Sequence, residues 1–111
     1  LYASAKHYVG YPITPGFEVC GTVLQCGAQV ADLEEGTAVI AVTRFNGYAT
    51  RLCVHRSQVF VKPLDLSCEE AAALPTVSLT AWYALQQAAH LLEVVSLLVN
   101  SAAGGVGCFL V

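Results

Sequence analysis

Near its C-terminal end the chain carries the run Asn100-Ser101-Ala102-Ala103-Gly104-Gly105-Val106-Gly107. The spaced positions read Ala102-x-Gly104-x-x-Gly107, an A-x-G-x-x-G form of the glycine fingerprint with which a backbone turn approaches a dinucleotide pyrophosphate. Glycines allow the tight bend, and the N–H groups at the start of a following helix suit an anion. Alanine in the first place fits this chemistry as long as its φ stays negative. Spacing alone leaves two readings open, a nucleotide turn and a plain packing turn. The charged residue about 20 positions further on, which would read a ribose, is not in the sequence.

The remaining candidates for chemistry are cysteines and histidines. Cys20, Cys26, Cys53 and His55 could be imagined around zinc, but their spacing is too loose for a three-ligand catalytic site. Buried free thiols are the expectation, and no metal is expected. His7 and His90 belong to no ligand pattern. With Cys68 and Cys108 the cysteines number five, with no C-x-x-C pair. That set implies free thiols in a reducing compartment, so a cytoplasmic location is expected.

Composition narrows the partners. The net charge is −3 with no basic cluster, which argues against nucleic acid. Hydrophobic residues make up 56% of the 111 and charged residues only 12%, so apolar surface is in surplus for a small globule. A bilayer span does not account for it. The most apolar stretch, Ala71 to Val99, is broken by Pro75, Gln86, Gln87, His90 and Glu93, and no transmembrane helix is expected. No secretory leader pattern is visible around Lys6 and His7.

The elements that must position the glycine turn follow from pattern. Residues 1–17 read as an irregular lead-in. Glu18–Cys26 is rich in β-formers, with Gly21 suggesting a bulge or close backbone approach. Gly27-Ala28-Gln29 and Glu34-Glu35-Gly36 are turns, and Thr37–Val42 is a second strand. Asn46-Gly47 is a hairpin signal with Tyr48–His55 returning. Gln58–Pro63 holds a last short strand, and the whole suggests a small barrel or sandwich. Ser67 and Glu70 form a capping box. Pro75 should stop that helix or begin another. Ser78–Leu92 has a helical stripe at 81, 85, 88, 89 and 92. Val94–Val99 reads as a strand buried on both faces of a parallel sheet, leading into the glycine turn. The fold class is thus α/β with a mainly β part.

Taken together, these motifs resemble the medium-chain dehydrogenase/reductase superfamily, in its zinc-independent quinone oxidoreductase-like branch. Thr14–Val23 is similar to the family's P-G-x-E-x-x-G-x-V segment, and Gly27–Val39 to its G-x-x-V…G-D-x-V turn and strand. Asn46–Thr50 resembles G-x-Y-A-E, and Glu69–Leu85 resembles E-A-A-A-L-P…T-A-W-x-A-L. Leu97–Gly107 is like V-L-V-x-x-A-A-G-G-V-G. The resemblance implies a partial GroES-like β-barrel over 1–75. It implies the first helix, strand and turn of a Rossmann domain over 76–111, in a chain truncated at both ends.

It further implies NADPH as cofactor and hydride transfer to a quinone or an activated alkene such as an enone. Ala102, Gly104, Gly105, Val106 and Gly107 would hold the pyrophosphate, and Thr80 would lie near the nicotinamide with Tyr83 one turn away. Tyr2, at the end of a stretch similar to R-x-G-x-Y, would be the acid or orienting hydroxyl, with an exposed terminal tyrosine as the competing reading. The parent protein would be a homodimer, and this chain alone inactive. Phe17 stands where zinc-dependent members carry a histidine, Thr37 stands for the usual aspartate, and the turn before Val94 lacks its glycine. Two further readings remain: a non-catalytic protein of the vesicle amine transport-like branch, and an enoyl reductase module of a fatty acid or polyketide synthase. A GroES-type co-chaperonin would leave the glycine turn unexplained.

Overall fold

A computed structural model describes residues 11–91 and 96–111. The chain forms two compact units, Leu1–Ala73 and Leu74–Val111. The first is built on a three-stranded antiparallel sheet in sequential order: β1 (Glu18–Thr22), β2 (Ala38–Val42) and β3 (Val59–Val61). β1 pairs with β2 from Glu18↔Val42 to Thr22↔Ala38, and β2 with β3 from Val39↔Val61 to Ala41↔Val59. Valine and isoleucine dominate the central strand, where branched side chains pack well on a pleated surface. Ile40, Ala41 and Val59 are buried, with Ala71 fully enclosed.

The turns have definite chemistry. Val30 N–H donates to the Gly27 carbonyl, and Thr37 N–H to that of Glu34. Gly36 carries a φ of 87°, a left-handed conformation that glycine adopts without steric cost. Gly21 makes neither a bulge nor a close approach. It pairs in register with Val39, and space for a β-carbon is open around it.

Asn46-Gly47 does not turn a hairpin, and residues 48–55 form no strand. The amides that would have paired across a hairpin are used elsewhere. Asn46 N–H donates to the Thr14 carbonyl, Gly47 N–H to Gly16 and Tyr48 N–H to Pro15. Buried Thr43 completes the strap: its N–H donates to the Phe17 carbonyl and its hydroxyl to that of Gly16. Phe17 and Phe45 pack above it with ring centroids 5.2 Å apart.

Helix α1 (Cys68–Trp82) starts at the expected box. Glu70 N–H donates to Ser67 Oγ at 3.2 Å, and Ser67 N–H donates to Glu70 Oε2 at 2.9 Å. Pro75 neither ends this helix nor starts a new one. It lies buried inside α1, removing one N–H from the ladder without breaking the rod. The division between the two units falls one residue before it, between Ala73 and Leu74.

Beyond Trp82 the coil widens into a π-helical stretch, Tyr83–Ala88, in which Ala89 N–H reaches the Ala84 carbonyl. His90, with φ 51°, takes the left-handed position at which a glycine commonly ends a helix. The expected apolar stripe fades along its length: Ala81 is buried, Leu85 half-buried, Ala88 and Ala89 exposed. Of the strand expected over Val94–Val99, residues 94 and 95 lie outside the described residues. Residues 96–99 form no ladder, and Leu97 and Leu98 are exposed. A parallel strand exists only through neighbours, and none is present among the described residues.

Candidate functional site

The glycine turn is assembled within the second unit. Ser101 has φ 57°, so the sharp reversal falls on it and not on a glycine. Gly104 N–H closes the turn onto the Ser101 carbonyl at 2.9 Å. Ala102 is absent from the positive-φ residues, as its place in the fingerprint requires. Gly104, Gly105 and Gly107 have no left-handed φ either. Their lack of side chains serves space, not conformation.

Gly107 is the tightest of the three. A β-carbon there would meet the Ser101 carbonyl oxygen and stand 2.7 Å from Ala102 Cα. One on Gly105 would lie 3.2 Å from Val77 Cγ1, and one on Gly104 3.2 Å from the Ser101 oxygen. The turn therefore folds back on its own start and rests on α1 at Val77. From Gly107 the chain winds into a 3₁₀ turn, Gly107–Phe109, with Cys108 N–H donating to the Gly104 carbonyl. Among the described residues, the Gly105 amide has no acceptor.

Thr80 lies on α1 one turn beyond Val77 and is exposed, its hydroxyl donating to the Thr76 carbonyl at 2.6 Å. Its oxygen keeps lone-pair capacity for a second partner. Tyr83 is exposed in the π-helical stretch. Tyr2 lies outside the described residues, as does His7. The structure thus brings Ala102, Gly104, Gly105, Val106 and Gly107 into one turn against the helix that carries Thr80.

The first unit holds a cleft that the sequence did not announce. It has a volume of about 550 Å³ and runs along Pro12–Thr14, Thr43–Asn46, Leu52–His55 and Gln58. Its polar groups include Arg44, His55 and two threonines set among apolar walls. Thr14 and Thr43–Asn46, from the strap of residues 14–17 onto 43–48, form one side, and because Asn46-Gly47 reads as an ordinary hairpin, only the long-range bonds reveal it. His55 Nδ1 is hydrogen-bonded to Ser57 Oγ at 2.7 Å. Behind the cleft Arg56 forks onto Asp32, its Nε and one terminal nitrogen at 3.0 and 2.7 Å, and its other nitrogen donates to the Val59 carbonyl. The guanidinium holds the Asp32 carboxyl below its usual range.

Among the described residues no three acidic, histidine or cysteine side chains gather as a metal site. Cys26 Sγ donates to the Leu33 carbonyl. Burial pushes the Cys20 thiol up, and its hydrogen bond with the Cys68 side chain adds to the shift.

A sheet strapped by a P-G-F-E segment, a proline-bearing capped helix and a glycine turn packed on that helix define a class. Residues 1–94 match the alcohol dehydrogenase GroES-like domain, and the chain belongs to that family, within the medium-chain dehydrogenase/reductase superfamily. The synaptic vesicle membrane protein VAT-1 homolog-like of Homo sapiens is 42% identical over 96 residues, which are 86% of this chain and 23% of that protein. Quinone oxidoreductase-like protein 2 of Bos taurus is 38% identical over 96 residues, again 86% of this chain and 28% of the relative. Among solved structures, the CurK enoyl reductase superposes with a TM-score of 0.83 at 31% identity, over 97% of this chain and 34% of that one. The chain thus spans 23% to 34% of the length of these three relatives. Among the described residues no helix is long and apolar enough to cross a membrane.

Proposed function

We propose that the chain is the part of an NADPH-dependent oxidoreductase that joins the GroES-like catalytic domain (1–75) to the first turn of its cofactor domain (76–111). The whole protein would transfer hydride to a quinone or an activated alkene. The observation that carries this reading is the Ser101–Gly107 turn. Its close packing requires glycine at Gly107, and it presents the unpaired Gly105 amide beside the start of a new helical turn. That is the arrangement in which a backbone takes up a pyrophosphate.

In this reading Ala102, Gly104, Gly105, Val106 and Gly107 line the pyrophosphate. Thr80 offers its oxygen to the nicotinamide amide, and Tyr2 donates a proton or hydrogen bond to the oxygen that gains charge when hydride adds. NADPH supplies the hydride when bound; the chain's own residues orient it and exclude water. Phe17 in place of a histidine supports chemistry without zinc, since its ring has no ligand atom. The 111 residues alone would not turn over, because most of the length of the relatives lies outside them and hydride transfer needs a cofactor held at both ends.

The decisive experiment replaces the matching segment of a quinone oxidoreductase with this chain and follows NADPH oxidation with a quinone or an enone. Retained turnover that Gly107→Val removes supports the reading. A chimera that folds and binds NADPH but reduces neither acceptor overturns it. The 42% identity to the VAT-1 homolog-like protein favours one second reading, a non-catalytic interaction protein. A folded chimera without NADPH affinity would decide for that reading.

A further inference from the structure

The cleft of the first unit carries a charge without a counter-charge. Arg44 lines it, and no aspartate or glutamate does. Among the described residues Arg44 has neither an ion pair nor a hydrogen bond, whereas Arg56, behind the cleft, gives its fork to Asp32. The chain as a whole has a net charge of −3, so the cleft is a positive spot on an acidic molecule. We propose that this cleft is a binding site for a small monocarboxylate with an apolar body, its carboxylate held by Arg44. The site lies wholly within Leu1–Ala73, so it needs neither the glycine turn nor a nicotinamide.

The backbone around Arg44 is fixed on both sides. Buried Thr43 is bonded to the Phe17 and Gly16 carbonyls, and Asn46 N–H donates to that of Thr14. The guanidinium therefore leaves a pinned stretch of chain, which reduces the ordering that binding must impose. Two neutral donors share the lining. The Asn46 side-chain amide has no partner among the described residues. His55 Nδ1 accepts from Ser57 N–H at 3.3 Å, so the neutral ring carries its proton on Nε2, which is a donor.

This set selects the ligand's charge and shape. A guanidinium presents parallel N–H groups that match the two oxygens of a carboxylate. A phosphate monoester, at about −2, would find no second cation in the lining. Phe45, Leu52 and Val54 supply the apolar wall, and the volume of about 550 Å³ lies within the range of small-molecule sites. The Phe45 ring is held against Phe17, so part of that wall is preformed. A short alkyl chain or a single ring therefore fits beside the charged head.

The test titrates the 111-residue chain with octanoate and, in parallel, with octanamide, which has the same body without the charge. Calorimetry reads the affinity, and backbone amide shifts in NMR read the place. Octanoate should bind saturably and shift residues 43–46 and 52–55, with octanamide weaker by about tenfold or more. Because that comparison uses the unaltered chain, it holds even where a variant fails to fold. Arg44→Gln should lose about the same factor, and Arg44→Lys less, because lysine keeps the charge without the fork. Arg51→Gln removes an exposed charge outside the lining and should leave the affinity unchanged. No saturable octanoate binding, equal affinity for octanamide, shifts centred elsewhere, or an equal loss in Arg44→Gln and Arg51→Gln would each overturn the proposal.

Discussion

Gly16 and Gly47 meet backbone to backbone: a β-carbon on Gly16 would stand 2.7 Å from Gly47 Cα, and Gly47 N–H donates to the Gly16 carbonyl at 3.1 Å. Gly16 also has φ 103°. Two segments distant in sequence are therefore pinned at one point, next to Thr14 and Asn46 of the cleft lining. Substitution at Gly16 meets both a conformational and a steric obstacle.

Gly16→Ala should cost about 2–5 kcal/mol, the sum of a left-handed alanine and an overpacked contact. Gly36→Ala is the matched control. Its φ is 87°, yet the space around it is open, so only the conformational part, about 1–2 kcal/mol, should appear. Urea unfolding of the two variants checks this, and equal losses would show that the Gly16–Gly47 contact adds nothing.

In the glycine turn the same contrast separates two neighbours. Gly107→Ala pushes a methyl group into the Ser101 and Ala102 backbone, which cannot yield cheaply, and should cost about 1–3 kcal/mol. Gly105→Ala meets only the tip of Val77 and should cost less than about 1 kcal/mol. Denaturant midpoints, read with a probe in the second unit, measure the difference.

Ser67→Ala removes the acceptor for Glu70 N–H and should destabilise the start of α1 by about 1 kcal/mol. Ser67→Asp keeps an acceptor at the same position and should restore most of that loss. Helical circular dichroism during thermal unfolding is the readout.

The Arg56–Asp32 fork makes stability depend on acid. The folded carboxyl sits below its ordinary value because Arg56 bonds the ionised form. Its contribution is therefore complete above the ordinary carboxylate range and is lost as pH falls through the lowered folded value. Glu69, held low by its own amide and by Ser67, acts with the same sign at the start of α1. Asp32→Asn should flatten the acid limb of a stability–pH profile and leave the neutral-to-alkaline limb parallel to the parent's.

Much of the fold is legible because its causes are local. Three strands, two glycine turns and the Ser67–Glu70 cap follow from branched residues, turn chemistry and a hydroxyl three residues before a carboxylate. The glycine fingerprint is legible in the same way, because its spacing is itself the geometry. Pro75 shows where local rules stop: a proline can end a helix or ride inside one, and the buried packing around it decides which.

Sequence alone determined the family of this chain and the residues of its glycine turn, since five motifs in order carry both. Tertiary structure decided how those residues are arranged. It assigned the left-handed φ to Ser101 and the tight packing to Gly107, and it left 96–99 unpaired. It spent the Asn46-Gly47 amides on a distant loop. Each of these depends on which distant backbone or side chain arrives as a partner, and a partner supplied by long-range folding leaves no periodic trace in the chain.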